Sequence, residues 1–447
     1  MYDALYPVTY YFYPLLKNSP ASPEEHSRFS SLLRQEPSIE TEALLYIHIP
    51  YCHDLCRFCP FHVRADNDEA AYRAYTDALI KEIQMVSRQP RAASFSYKAV
   101  YFGGGSPSIF PLNDIKRLFT AIQTHFNLDP AVEISFEGEP KTLGNIALLD
   151  ILKSYNVSRI SFGLQTFDQT LREQFNINAT IDDINRCTAN AKHVGFSDIN
   201  VDMMYDLPGQ TIAMLENDLA RLKQYDFDSI DYYNLHYYAF PQKFKAMMAK
   251  GVIPSKPSEA MHFALAEQLR FSMRELGYHY VADQIFSKTK QLSEYFRLLW
   301  GGGHGQSSAE TIAIGSSARG FIEGHSYMNY GNVNRYLETV NKNELPIEKI
   351  SDRLSNDANR GAVFMMKFLG VADNYQSAME TLPPAILNQW LEHGLIEANH
   401  QGLFITERGK NWTTNMMLDA LEPDQRLIAE ESSSHLSEKP GIRTGSF

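Results

Sequence analysis

The stretch Tyr46–His62 reads YIHIPYCHDLCRFCPFH and places three of the four cysteines of the chain, Cys52, Cys56 and Cys59, close together. It overlaps the run LLYIHIP, which is apolar, β-branched and aromatic and ends at Pro50. Such a run predicts a buried parallel strand whose carboxyl end leads into the cysteine loop. In barrels of alternating strands and helices, these carboxyl ends carry the functional site. The stretch therefore predicts both a fold and the place of its chemistry.

Further apolar runs follow at the spacing of strands that alternate with helices: KAVYFGGGSPS, AVEISFEGEP, VSRISFGLQTFD, FSDINVDMMYDLPGQT and FDSIDYYNLHYYAF. Between them, segments such as PLNDIKRLFTAIQTHF and TIAMLENDLARLKQY have apolar residues at helical spacing. With the first strand these runs make six β/α units. The sequence therefore predicts the α/β class, as an open (β/α)6 partial TIM barrel.

Composition restricts the class of protein. The chain has 447 residues, of which 44% are hydrophobic and 21% charged, as expected of a globular protein. Its net charge of −12 disfavours nucleic acid and anionic lipid as partners. No apolar run reaches the roughly 18 residues that a membrane span needs. No basic residue precedes Lys17, so the start does not resemble a secretory signal, and we expect a cytoplasmic protein.

The chain divides into five predicted parts. Residues 1–43 form an N-terminal extension, of which the polar segment 18–43 is expected to cross the barrel mouth. The barrel covers residues 44–255, and residues 256–355 cap it as a substrate region. Residues 356–425 read as a small α+β domain of winged-helix type that lacks the basic stripe of a DNA-binding domain. Residues 426–447 are a polar tail, whose end SSSHLSEKPGIRTGSF is expected to be disordered.

The cysteine cluster has three possible explanations. A structural zinc ion needs four ligands, and the chain has no second CxxC pair, although His53 or His62 could complete a site. A redox dithiol of thioredoxin type would not need Cys52. A 4Fe-4S cluster held by three thiolates leaves one iron open to a non-protein ligand. The fourth cysteine, Cys187, lies in the helical pattern IDDINRCTANAKHV, where a buried structural thiol is expected.

The CxxxCxxC loop after a first barrel strand resembles the radical S-adenosylmethionine (SAM) superfamily. The resemblance implies a 4Fe-4S cluster on Cys52, Cys56 and Cys59 whose open iron binds SAM, which is then cleaved reductively to methionine and a 5′-deoxyadenosyl radical. Phe58 is expected to pack over the cluster and exclude water. Tyr46 and His48 stand at family positions that shape the site.

The remaining expected SAM contacts lie at the ends of the other strands. Gly104, Gly105 and Ser106 belong to GGGSP, which resembles the family loop that meets the amino group of SAM. Polar side chains that core packing does not demand follow the next three strands, and they could bond ribose hydroxyls and an ammonium group. By the resemblance, the further SAM-binding positions are Glu137, Gln165, Asp202 and Met204; Glu139 lies beside them.

Four segments, YIHIPYCHDLCRFC, YFGGGSPS, ISFGLQTFD and DMMYDLPGQT, resemble one branch in particular. That branch contains oxygen-independent coproporphyrinogen III oxidase, a related haem chaperone and the class C radical SAM methyltransferases. This chain departs from the oxidase pattern, which has a fourth cysteine where Phe61 stands. It also has Ile177 where the family places an arginine that could clamp a carboxylate, a role that Arg172 or Arg186 could fill.

The absent fourth cysteine favours methyl transfer over oxidative decarboxylation. Class C methyltransferases are thought to bind two SAM molecules, and a haem-utilisation member methylates haem and opens its ring without oxygen, releasing iron. The resemblance therefore implies a haem or tetrapyrrole substrate and a low-potential electron donor such as flavodoxin or ferredoxin. The chaperone stays an alternative, although its HNxxYW pattern keeps only Trp300 here, and so do the oxidase and a methyltransferase for another aromatic acceptor. His304, in a glycine-rich loop, is either simply exposed or approaches a substrate metal.

Overall fold

A computed structural model describes residues 1–65, 68–239, 242–372 and 376–438. Seventeen strands lie in this part of the chain: β1 Ala43–Ile49, β2 Tyr51–Cys52, β3 Arg64–Ala65, β4 Tyr97–Gly104, β5 Leu128–Gly138, β6 Arg159–Gln165, β7 Asp198–Tyr205, β8 Ser229–Asn234, β9 His279–Ala282, β10 Ile285–Ser287, β11 Glu310–Ile314, β12 Arg319–Ile322, β13 His325–Asn329, β14 Ile347–Ile350, β15 Gly370–Ala372, β16 Ile396–Asn399 and β17 Gly402–Ile405.

Eighteen α-helices accompany them in the same part of the chain: α1 Pro23–Leu33, α2 Glu69–Val86, α3 Pro90–Ser94, α4 Leu112–His125, α5 Pro140–Leu143, α6 Ile146–Ser154, α7 Gln169–Phe175, α8 Ile181–Val194, α9 Ile212–Leu222, α10 Gln242–Ala249, α11 Glu259–Glu275, α12 Glu294–Leu299, α13 Val333–Asn341, α14 Asn359–Phe368, α15 Gln376–Glu380, α16 Pro384–Glu392, α17 Thr413–Ala420 and α18 Pro423–Glu438.

The central sheet has twelve strands in the order β14-β13-β12-β11-β1-β4-β5-β6-β7-β8-β10-β9. The six predicted strands, β1 and β4 to β8, are mutually parallel neighbours, which confirms the α/β class and the open barrel. A seventh parallel strand, β11, joins the outer edge of β1. Antiparallel strands continue the sheet on both sides, so among the described strands the sheet does not close on itself.

Along each barrel strand, apolar residues alternate with polar ones. One face carries the apolar core, for example Ile134 and Phe136 on β5 and Ile160 and Phe162 on β6, which packs under the helices. The alternate residues face the lumen and are polar, which an ordinary packed barrel core would not require. These lumen residues are Ser135 and Glu137 on β5, Arg159 and Ser161 on β6, Asn200 and Asp202 on β7, and Ser229 and Asp231 on β8.

The fourth cysteine lies in α8, a helix whose two ends are defined by capping residues. Thr180 caps its start, with Asp183 completing a capping box, and Gly195 ends it in the left-handed conformation. Cys187 lies on the inner face of this helix and has no accessible surface. The prediction of a buried structural thiol is confirmed.

The C-terminal part packs on the open side of the sheet. All ten residues of α14 are buried, and the three-stranded sheet β15-β17-β16 lies beside it with α16, a helix and sheet arrangement like the predicted one. The prediction of a disordered tail is wrong as far as residue 438, because α18 continues to Glu438. Its buried residues Gln425 and Ala429 anchor the helix to the core. The last nine residues of the predicted tail lie outside the described residues.

The polar segment 18–43 of the N-terminal extension packs on the antiparallel flank of the sheet and does not cross the barrel mouth, contrary to the expectation. It forms α1, whose Phe29 packs on Tyr327 of β13 with ring centroids 4.9 Å apart. The backbone of Ala21 also bonds Glu348 of β14. Amphipathic α1 therefore buries its apolar face on the antiparallel flank. Among the described residues, no helix combines the length and hydropathy needed to span a bilayer.

Candidate active site

The cysteine loop lies at the carboxyl end of β1, where the sequence predicts it. After Pro50 the chain forms β2, which pairs with β3 on the far side of the loop, so the two ends of the loop are held together. The loop is also fixed to the end of α7. The Arg57 N–H donates to the Phe175 carbonyl at 3.0 Å, and the Asn176 amide donates to the Leu55 carbonyl at 3.0 Å. The loop is thus set in place by the fold.

The three cysteines of the loop are half-exposed and free of disulfides. Burial raises the pKa of Cys52 to about 12, opposed by Ser106, whose hydroxyl lies 3.7 Å from the sulfur, and reinforced by Cys59. Burial likewise raises the pKa of Cys56 to about 12, with Cys52 adding to the effect. The protein alone therefore favours neutral thiols here. A cationic iron-sulfur cluster would supply the charge that turns them into thiolate ligands.

The arrangement of donors fits such a cluster. Within the described residues, no three His, Cys, Asp or Glu side chains converge in the manner of ligands to a single metal ion. The thiols instead spread over one compact loop, as ligands to three corners of a cube must. Where a cluster is bound, Cys52, Cys56 and Cys59 would hold it, and they are partly open to the mouth of the barrel.

Phe58 lies between the second and third cysteines and is 9% exposed. Its ring meets Phe175 with centroids 5.9 Å apart, in an apolar cluster that also includes Leu171 and Met204 and against which Cys56 packs. This position agrees with a role in excluding water. Phe61, two residues after the third cysteine, is by contrast 54% exposed.

The glycine loop is shaped by steric demands. Gly104 adopts φ +109°, and an added Cβ would lie 2.5 Å from the His48 ring. The N–H groups of Gly104, Gly105 and Ser106 donate to Glu137, Ile49 and Tyr51 respectively. These donors are therefore used inside the protein. What the loop can still offer a ligand is acceptor oxygen, which suits an ammonium group.

Tyr46 and His48 form a hydrogen-bonded pair on β1. The Tyr46 hydroxyl lies 3.0 Å from Nδ1 of His48, and the Tyr75 hydroxyl donates to the His48 carbonyl at 2.9 Å. Burial lowers the pKa of His48 to about 3, and the charge of His62 adds to this. Its Nε2 is buried without a partner among the described residues. His48 is thus a neutral ring that fixes the wall beside Gly104.

Glu137 on β5 is held by the strand before it. Its carboxylate accepts from the Tyr101 hydroxyl and, at 3.2 Å, from the Gly104 N–H. Burial raises its pKa to about 7, and these two donors oppose the rise. Tyr295, at the start of α12, stacks on Tyr101 with ring centroids 3.6 Å apart.

Asp202 lies deeper in the lumen, opposite Asp231 on the next strand. Burial raises the pKa of Asp202 well above its usual range, and the charges of Asp231 and Glu137 add to this. Burial also raises the pKa of Asp231 to about 6, against the attraction of Arg159. Arg159 bonds Asp198 at 3.0 Å and approaches Asp231 at 3.5 Å. The lumen therefore carries more carboxyl groups than cations, which favours a positively charged ligand.

Gln165 ends β6 in the left-handed conformation, with φ +70°. Its side-chain amide folds back over Gly163, where any Cβ would collide with it. Met204 of β7 is buried in the cluster around Phe58 rather than open to the lumen. The structure thus brings the predicted residues to one end of the sheet.

Several residues at this site were not predicted. All but one lie on the barrel strands β4 and β6 to β8, and the last lies on the distant helix α12; they are Tyr101, Arg159, Asn200, Asp231, Tyr233 and Tyr295. The alternation of polar and apolar residues in AVEISFE, RISFGLQ, DINVDMM and SIDYY marks most of them. Nothing in the local sequence marks Tyr295.

The arginines considered for a carboxylate clamp are engaged elsewhere. Arg172 donates to the backbone carbonyls of Leu164 and Thr166, each at 2.8 Å. Arg186 is exposed and bonds Asp183 at 2.7 Å. Ile177 packs against the apolar cluster around Phe58. Neither of the two candidate arginines therefore offers a free guanidinium group for a carboxylate clamp at this place.

His304 lies in the exposed loop after α12. Its ring lies 5.1 Å from that of Phe368, and it bonds the backbone of Gly370, which opposes the lowering of its pKa by burial. The ring of His304 thus joins the glycine loop to the C-terminal part of the chain.

Comparisons with known proteins agree with this geometry. Residues 46–222 match the family model described as the radical SAM superfamily. The chain is 28% identical over 396 residues to anaerobilin synthase of Escherichia coli O157:H7, covering 86% of this chain and 85% of the relative. It is 27% identical over 376 residues to the heme chaperone HemW of Bacillus subtilis strain 168, covering 82% and 95%.

A solved structure gives the same result for the fold. Coproporphyrinogen III oxidase (HemN) from Escherichia coli, a radical SAM enzyme, has a TM-score of 0.76 at 21% identity, over 90% of this chain and 96% of that one. The cysteine loop at the end of β1, the open parallel barrel and the matched residues lead to one conclusion: residues 46–222 form a radical SAM domain, of a family that uses a 4Fe-4S cluster and S-adenosylmethionine.

Proposed function

We propose that the chain is a class C radical SAM methyltransferase that methylates haem and opens the porphyrin ring without oxygen, releasing iron. The observation that carries this proposal is the cysteine loop, which has three thiols and an exposed Phe61 in place of a fourth. The similarity to anaerobilin synthase over most of both chains supports it. When bound, the cluster and SAM supply the radical chemistry.

The residues of the chain have distinct parts in this proposal. Cys52, Cys56 and Cys59 hold the cluster, and Phe58 keeps water from it. The acceptor atoms of the glycine loop receive the ammonium group of SAM. Glu137, Gln165 and Asp202 receive the polar groups of the same ligand, and Tyr46 with His48 forms the wall behind it. The excess of carboxyl groups in the lumen favours the net positive charge of SAM.

The ionisation of Glu137 and Asp202 should affect the binding of SAM. Their carboxyl groups share the lumen with Asp231; burial raises the pKa of Asp202, and the charges of Asp231 and Glu137 raise it further. A cationic ligand beside them lowers those pKa values, so its binding releases protons. We expect SAM to bind more tightly as the pH rises through the range in which these groups titrate.

Two further parts of the proposal concern partners. Class C chemistry needs a second SAM molecule, which gives the methyl group, and a low-potential donor of flavodoxin or ferredoxin type that reduces the cluster. The half-exposed cysteine loop at the barrel mouth is accessible to such a donor.

An anaerobic assay tests the function. Reconstituted protein is mixed with haem, SAM and a strong reductant, the haem absorbance is followed, and mass spectrometry measures 5′-deoxyadenosine, S-adenosylhomocysteine and methylated tetrapyrrole. Loss of haem together with all three products is the expected result. Cleavage of SAM without loss of haem would indicate that the same chemistry acts on another acceptor. The Cys187→Ala variant, which removes the one thiol outside the loop, is the matched control and should keep the activity.

A second candidate is a haem chaperone, favoured by the similarity to HemW over 95% of that protein. The same assay separates the two. A chaperone would bind haem and leave both haem and SAM unchanged under reducing conditions. The oxidase alternative would yield a decarboxylated porphyrinogen from coproporphyrinogen III, with no methylated product.

A further inference from the structure

A histidine that the sequence did not single out lies beside the barrel mouth. The segment Leu235–Tyr238 follows β8, and its side chains point alternately to two sides. Leu235 and Tyr237 belong to the apolar cluster that contains Phe58. Tyr238 lies on the other side, in the core formed with the aromatic N-terminal segment, and His236 stacks on it.

Aromatic rings fix the orientation of His236. Its ring centroid lies 5.3 Å from that of Tyr238 at an interplanar angle of 30°. The ring of Tyr11, from the N-terminal extension, meets it edge-on at 6.3 Å and 74°. A histidine held by two rings presents its nitrogen atoms in a defined direction, as a metal ligand must.

The nitrogen atoms of His236 have no hydrogen-bond partner among the described residues, and the side chain keeps accessible surface. Burial lowers its pKa to about 4, and the charge of Lys367 adds to this. The ammonium group of Lys367 donates to Asp283 at 3.1 Å and to Thr9 at 3.2 Å, so its position is fixed. At neutral pH the imidazole is therefore uncharged, with a lone pair available.

The other histidines near the barrel are engaged. His53 bonds Glu139, and His262 lies 3.2 Å from Asp206. His304 bonds the backbone of Gly370. His48 bonds Tyr46, and its remaining nitrogen is fully buried.

His236 lies two residues after the end of β8, the strand that pairs with β7 and its Asp202. Tyr233, on β8, keeps accessible surface deep in the molecule and lies within electrostatic range of Tyr11, Asp202 and Tyr295. Tyrosine rings with accessible faces suit a flat aromatic ligand.

We propose that His236 is the axial ligand to the iron of a haem substrate, an inference that rests on the proposed function. A neutral imidazole is a common protein ligand of haem iron, and the rings of Tyr238 and Tyr11 give this one aromatic neighbours. Iron ligation would hold the macrocycle in one register while a ring carbon faces the radical chemistry.

The test is a titration of the full chain with ferric haem and, separately, with metal-free protoporphyrin IX. Electron paramagnetic resonance and magnetic circular dichroism report the axial ligand, and equilibrium binding gives the affinity. In His236→Ala we expect the histidine signature to disappear and haem to bind at least about tenfold more weakly. Added imidazole should restore the signature. The affinity for metal-free porphyrin should stay within about twofold, because it has no iron to ligate.

Matched variants keep the test decisive. His279→Ala removes an exposed histidine of β9 and should behave as the wild type. His236→Cys should replace the histidine signature with that of a thiolate ligand, which also covers the case in which the alanine variant is poorly folded. An unchanged signature in His236→Ala, its loss in His304→Ala instead, or equal weakening of both porphyrins would overturn the inference and leave the proposed function standing. A wild-type chain that binds no haem would overturn the proposed function itself.

Discussion

The ring of Tyr295 lies flat on that of Tyr101, with centroids 3.6 Å apart and planes 19° from parallel. Tyr101 is on β4 inside the barrel, whereas Tyr295 begins α12 after the last barrel strand. Glu133 of β5 accepts from the N–H groups of Glu294 and Tyr295, so it caps α12 from inside the barrel. One acidic side chain and one ring pair thus bring a distant helix to the wall of the lumen.

Two substitutions of Tyr295 distinguish the contribution of its ring to stability from that of its hydroxyl group. Tyr295→Leu removes the stack on Tyr101, and an aromatic pair contributes about 1 kcal/mol beyond its buried area. We expect the free energy of unfolding, measured in urea, to fall by at least that amount and SAM to bind more weakly, because Tyr101 holds Glu137. Tyr295→Phe keeps the stack and should stay within about 0.5 kcal/mol of the wild type. Equal losses in both variants would contradict this assignment.

The cysteines should divide into two classes. Cys56→Ala should abolish the visible iron-sulfur absorbance after anaerobic reconstitution, since two thiolates cannot hold the cluster at three corners. Cys187→Ala should retain the iron and sulfide content of the wild type, because Cys187 is buried in α8. Iron retained in Cys56→Ala, or a colourless zinc-loaded wild type, would exclude the proposed cluster ligands.

The glycine loop gives a steric prediction. Gly104→Ala places a Cβ 2.5 Å from the His48 ring at a backbone φ of +109°, whereas Gly277→Ala places one in open space at φ +86°. Left-handed strain alone costs roughly 1–2 kcal/mol, so Gly277→Ala should lose about that much. Gly104→Ala should lose a further 1–3 kcal/mol by overpacking and should also weaken SAM binding. Chemical denaturation of the two variants measures the difference, and equal losses would show that His48 simply moves aside.

Much of this site could be predicted from the sequence because its chemistry is local. The strand LLYIHIP and the loop CHDLCRFC are contiguous, and parallel strands bring their carboxyl ends to one edge whatever else the chain does. Cys52, Cys56, Cys59, Glu137 and the glycine loop therefore lie at one end of the sheet. The alternation of DINVDMM held further information, since it marks Asn200 and Asp202 as lumen residues on one face.

The rest depends on contacts between distant segments. Tyr295 is held at the lumen by Glu133, 162 residues earlier, which caps its helix. Tyr11 meets His236 because the N-terminal extension packs against the segment that follows β8. No local pattern encodes these pairs. Arg172 could not be judged from the sequence for a similar reason. Its guanidinium group donates to two backbone carbonyls that only the fold brings within reach.

Glu82, which is not among the proposed ligands of the cluster or SAM, provides a pH prediction. This buried carboxylate of α2 accepts from the Gly315 N–H at 2.8 Å, the Tyr336 hydroxyl at 2.6 Å and the Asn329 amide at 2.7 Å. Burial nevertheless raises its pKa to about 7, against the opposing effect of these donors. The folded chain therefore binds a proton more tightly here than the unfolded chain does.

A raised carboxyl pKa stabilises the fold at low pH, and this stabilisation is lost as the pH rises from about 4.5 to about 7. The full difference is about 3 kcal/mol, at roughly 1.4 kcal/mol for each pH unit. Glu82→Gln cannot titrate, so the free energy of unfolding of the wild type minus that of the variant should fall across this window and level off above it. Urea denaturation at several pH values measures this difference. Glu69→Gln, which removes an exposed carboxylate from the same helix, should run parallel to the wild type, and a parallel Glu82→Gln curve would show that the three donors keep Glu82 ionised throughout.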